Sequence, residues 1–121
     1  MRRRLVFRVQ DTEGRGPWRP GFSRVWVQPR PDHMLLAPFF VEFPGVLKAV
    51  LPGERLGSGC NNPSHLRRWF TEKEYRTLKK LGYSAVALEV DRILAESDVQ
   101  VVFVRALPFN TNTTPISLYD G

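Results

Sequence analysis

Few residues in this chain could do chemistry, and most familiar arrangements fail on spacing. His33 and His65 stand 32 residues apart with no Cys or acidic residue at a ligand spacing beside them, so no metal site is expected. Cys60 and His65 could be drawn as nucleophile and base. His65, however, follows a helix cap, and a solitary thiol is ordinarily inert packing. Gly57-Ser58-Gly59 lacks the Gly-Lys-Ser or Gly-x-x-Gly continuation that phosphate loops and dinucleotide sites require, and it reads as a turn. What remains is arginine. Residues 1–30 hold eight arginines against Asp11 and Glu13, which accounts for the whole formal charge of +6, while residues 31–121 carry ten charges of each sign. An anionic ligand or surface would meet the N-terminal quarter first.

The elements that must position these residues follow from periodicity and caps. A chain of 121 residues that is 42% hydrophobic can bury one core, so a single domain over 1–108 is expected, with a polar tail or surface strap over 109–121. The longest nearly apolar run, Met34 to Val41, is eight residues long and contains Pro38, so no membrane span fits. The lone Cys60, and the absence of an apolar segment after Met-Arg-Arg-Arg, point to the cytoplasm. Leu5, Phe7 and Val9 alternate with Val6, Arg8 and Gln10, the period of a half-buried strand. Residues 11–21 form a Gly- and Pro-rich loop that Trp18 pins to the body, and Phe22 to Gln28 offers a second short strand. Between 32 and 56, where Pro38, Pro44 and Pro52 interrupt the pattern, only Pro44 to Leu51 reads as a short helix.

The next signals are sharper. Asn62-Pro63 opens a helix through Phe70, and Thr71 with Glu74 forms a capping box for a second helix with Tyr75, Leu78 and Leu81 inward and Gly82 after its end. Ser84 to Val90 and Val99 to Val104 are strands, the latter central because both its faces are mostly apolar. The expected class is α+β: a small, mostly antiparallel sheet, single or split, with two or three short helices.

The strand Leu-Val-Phe-Arg8-Val, the Leu-Gly57-Ser58-Gly59-Cys segment ahead of a helix, Leu-Gly82-Tyr83-Ser-Ala-Val and the closing Gln100-Val-Val-Phe103 resemble, in order, the elements of small ADP-ribosyltransferases. The wider layout also resembles small proteins encoded by bacteriophages and prophages. The first resemblance implies an ADP-ribosyltransferase-like fold that binds NAD or ADP-ribose, with Arg8, Ser58 and Gln100 as the catalytic set and Arg8, Gly57 and Ser58 on the cofactor. Gln100 falls where that family carries a catalytic Glu, and a neutral amide cannot stabilise the oxocarbenium-like charge that develops when the nicotinamide bond breaks. Gln100 could still bond a ribose hydroxyl, and Glu96 could supply a carboxylate in a shifted register.

Three functions follow. The first is NAD-dependent ADP-ribosyltransferase-like chemistry, active or degenerate, directed at host defence or regulation. The second is a non-enzymatic phage inhibitor, of anti-CRISPR or other anti-defence type. It would block a host protein through Arg15, Trp18, Arg19, Arg24 and Trp26, since Arg and Trp are enriched at binding hot spots. The third is a nucleic-acid binder in which Arg2, Arg3, Arg4, Arg15, Arg19, Arg24 and Arg30 meet phosphates while Trp18 or Phe22 stacks on a base.

Overall fold

The computed structural model describes residues 4–18, 22–29, 36–105 and 113–119. Its class is α+β, with six strands in two small antiparallel sheets. Strands β1 (Arg4–Gln10), β3 (Ser84–Val90) and β6 (Thr113–Pro115) form one sheet with β3 central. Strands β2 (Leu56–Gly59), β5 (Val101–Val104) and β4 (Ile93–Glu96) form the other with β5 central, as its apolar faces predict. Among the described residues, a backbone bridge joins the two sheets. Phe7 N donates to Cys60 O at 2.8 Å and Cys60 N to Phe7 O at 2.7 Å.

That bridge explains the glycines. A Cβ on Gly59 would lie 2.6 Å from Phe7 O, and one on Gly57 would lie 2.7 Å from the Arg105 stem and 2.8 Å from the Phe103 ring. Gly57-Ser58-Gly59 is therefore not a turn but a strand whose alternate positions must lack side chains, so that β1 can approach along one stretch and Arg105 can cross along the other.

The helical pair forms where its caps direct. Helix α1 (Phe39–Glu42) is a single turn, whereas α2 (Pro63–Trp69) and α3 (Glu72–Lys80) make up the pair. Asn62 Oδ1 accepts from His65 N at 2.8 Å, and both bonds of the Thr71–Glu74 capping box are present. Gly82 follows α3 at φ 93°. Leu66, Phe70, Tyr75 and Leu78 meet Val9, Trp26 and Ala85 in a core beneath the first sheet, while Val6, Val86, Leu88, Val101 and Phe103 form a second core between the sheets.

Several expectations are corrected. Phe22 to Gln28 is no strand: Ser23–Val25 is a 3-10 turn, because Trp26 turns inward and its Nε1 donates to Pro17 O at 3.1 Å. Leu5, at the open end of β1, and Leu81, one residue past α3, are exposed rather than core. On β1 the polar face is enclosed too, since the second sheet covers Val6, Arg8 and Gln10. Within the proline-broken stretch, a 3-10 turn over Val46–Ala49 replaces the expected helix from Pro44 to Leu51, and Phe39–Glu42, unforeseen, is helical. At the C-terminal end, 113–119 is a strap: β6 pairs with β3 and Leu118 enters the core. The boundary expected near 108 lies outside the described residues.

Candidate functional site

Strand β1 places Arg8 opposite the glycine-rich β2, and β5 begins immediately after Gln100. These three elements meet at a cavity of about 610 Å³ lined by Arg8, Ser58 and Gln100. The residues that the sequence separates by 50 and 42 positions therefore converge. Gly57 does not line the cavity, whereas its neighbour Gly59 does. The walls are largely aromatic and apolar, with Trp18, Phe39, Phe40, Trp69 and Phe70 among the lining residues. That volume lies within the range of roughly 300–1,000 Å³ typical of small-molecule sites.

Arg8 dominates the electrostatics. Its residue is 7% exposed and its bond to Ser58 O, from Nη1, is long at 3.4 Å. Its Nε has no hydrogen-bond partner, and among the described residues no carboxylate forms an ion pair with it. Burial, together with the nearby Arg105 charge and offset in part by Asp11, pushes the guanidinium down to about 9, which leaves it cationic at neutral pH. Gly16 lies against the same group, since a Cβ there would sit 3.0 Å from Arg8 Nη2. A buried cation with donor capacity to spare, facing an apolar cavity, is suited to an anion.

Gln100 is 4% exposed, and its Nε2 donates to Ala37 O at 2.9 Å and to Glu42 Oε1 at 2.7 Å. Glu96 is elsewhere: it ends β4 and pairs with Arg4 on the surface at 2.7 Å, so a shifted register does not bring it to the cavity. Cys60 lines the cavity, but burial pushes its thiol up to about 12, and its Sγ lies 3.6 Å from Val99 O. His65 Nδ1 is buried without a partner, and the thiol bonds Val99 O rather than His65.

The residues proposed to contact a partner separate. Trp26 is buried at 3% exposure, packed 4.7 Å centroid to centroid against Trp18, which is itself 50% exposed and borders the cavity. Arg15 pairs with Asp11 and Glu13, at 2.9 and 3.1 Å, and Arg24 is exposed. Arg2, Arg3, Arg19, Arg30 and His33 lie outside the described residues. Three of the four described arginines of the N-terminal segment are thus engaged internally: Arg4 with Glu96 and Asn61, Arg8 buried at the cavity, Arg15 in its own loop.

Sequence reasoning missed the cavity's aromatic walls and Glu42, the carboxylate that holds the Gln100 amide. Phe39 and Glu42 sit in a stretch whose prolines hide its period, and nothing local marks Glu42 as the partner of a residue 58 positions away. No described helix is long and apolar enough to cross a membrane. A family model described as Bacteriophage T4 Y00F protein matches residues 1–116. No curated protein and no solved structure matches the chain at a significant level.

Proposed function

The chain belongs to the bacteriophage T4 Y00F protein family, and from that premise we propose that it is a small phage protein whose cavity binds an anionic nucleotide-like ligand of the NAD or ADP-ribose class. One observation carries the reading. Arg8 is a buried guanidinium with an unpartnered Nε, and it lines an aromatic-walled cavity together with Ser58 and Gln100. A phosphate would take the guanidinium, and a flat base would lie among Trp18, Trp69 and Phe70. Binding is favoured over bond cleavage. The cavity wall carries an amide, Gln100, where an ADP-ribosyltransferase would need a carboxylate, and Glu96 is bound to Arg4. The likeness to those enzymes rests on sequence motifs alone.

Calorimetric titration with ADP-ribose and NAD tests this. Micromolar to low-millimolar binding that Arg8→Gln abolishes is expected; no heat and no thermal stabilisation at about 5 mM ligand overturns it. A second reading, a protein that blocks a host complex, is supported by the half-exposed Trp18 beside the exposed Phe40 and by the exposed Arg24. Pull-down from host lysate with wild type and Trp18→Ala/Arg24→Ala separates the two: a stoichiometric partner lost by the double variant supports the inhibitor, and an unchanged partner removes this surface from it.

A further inference from the structure

The Gln100 amide has a defined orientation. Its Nε2 carries two hydrogens, and Ala37 O and Glu42 Oε1 take both, at 2.9 and 2.7 Å. Neither acceptor can donate, so turning the amide over would set Oε1 against a carbonyl and a carboxylate. Among the described residues no donor bonds Oε1, although Gln100 is nearly inaccessible and lines the cavity. Arg8, with an unpartnered Nε, and Gln100, whose Oε1 no described donor bonds, therefore share the lining of one cavity.

Resting on the ligand class proposed above, we propose that Gln100 is a specificity-determining residue. Its amide, fixed by the positioning residue Glu42, admits ligands that present a hydroxyl donor, as a ribose does, in addition to the anionic group that Arg8 receives. Glu42 itself does not line the cavity, so its effect on a ligand runs through Gln100. The donor hydrogen of the sugar would complete an acceptor that the fold leaves open, and a sugar without hydroxyls would leave it open still.

The test is titration of wild type, Gln100→Leu and Glu42→Gln with AMP and with 2′,3′-dideoxy-AMP, with circular dichroism confirming that each variant is folded. Wild type should bind AMP about tenfold more tightly than the dideoxy compound. Gln100→Leu should bring that ratio close to one while leaving affinity for the dideoxy compound within about twofold, because the dideoxy compound has no sugar hydroxyl for Gln100 to accept from. Glu42→Gln, which frees the amide to turn over, should give an intermediate ratio. Equal losses of both probes in Gln100→Leu would assign the residue a purely structural role and overturn the inference. An unchanged ratio would overturn it too, while leaving the nucleotide reading standing if AMP still binds and Arg8→Gln abolishes that binding. If wild type binds neither probe, the ligand class itself falls.

Discussion

Glu74 and Arg8 are both charged and almost inaccessible, at 0% and 7% exposure, yet the molecule treats them differently. Glu74 sits in the helical half and is matched on both oxygens: Oε1 accepts from Thr71 N at 2.9 Å and Oε2 from Gln28 N at 2.8 Å, which ties α3 to the segment carrying Trp26. Arg8 sits in the cavity half with one long bond and an unpartnered Nε. A buried charge whose hydrogen bonds are made contributes to the fold. One whose donors remain open costs stability unless something else completes them. The contrast sets a matched buried charge in the helical half against a buried charge with an open donor at the cavity.

Mutations can break this contrast, and the largest effect is expected at the matched charge. Glu74→Ala leaves two half-buried amides, Thr71 N and Gln28 N, without acceptors and empties a fully buried site, and should cost about 3 kcal/mol in urea denaturation. A cost below about 1 kcal/mol would show that Glu74 is not the tie described. Arg8→Met should move the opposite way, with a gain of about 1–2 kcal/mol in the same assay, because an incompletely bonded buried cation is replaced by an apolar chain of similar length. A loss of that size would mean that Arg8 is structural after all. Thr71→Ala removes one bond of the capping box and should cost about 1 kcal/mol, without effect on ligand titrations.

The pH dependence sharpens the comparison further. Arg8 is held at about 9 in the fold, well below the ordinary guanidinium value, so above about 9 the unfolded chain retains a proton that the folded chain releases. The stability of wild type relative to Arg8→Met should therefore rise as pH increases through about 9, and anion binding at the cavity should weaken over the same range. Parallel denaturation curves for the two proteins from pH 8 to 10.5 check this, and a constant gap would count against it. The smallest effect is expected at Gln100→Leu, less than about 1 kcal/mol globally. Hydrogen exchange should nevertheless quicken at the amides of Val41, Glu42 and Phe43, whose bonds to Pro38 and Phe39 close the short helix that Gln100 grips.

The same division governs what could be read in advance. Asn62-Pro63 and Thr71 with Glu74 announce their helices because a cap is satisfied within four residues, and strands β3 and β5 announce themselves because their apolar runs suit buried sheet positions. Phe22 to Gln28 misleads for the opposite reason. Its pattern fits a strand, but burying Trp26 against Phe70 and bonding its indole to Pro17 curls the segment into a turn. Phe39 to Glu42 is invisible locally, since nothing in four apolar and acidic residues between prolines declares a cavity wall.

By itself, then, the sequence determined the α+β class, the capped helical pair, the two central strands and the concentration of arginine at one end, all of which depend on interactions among near neighbours or on period alone. Only the tertiary structure decided that Arg8, Ser58 and Gln100 share a cavity, that Trp26 is core while Trp18 borders the opening, and that Glu42 holds the Gln100 amide. Convergence at the cavity follows the backbone bridge between the two sheets at Phe7 and Cys60, which Gly59, lacking a Cβ, leaves unobstructed. A contact between residues 50 or more positions apart leaves no period and no cap in the chain, and it exists only once the backbone has closed.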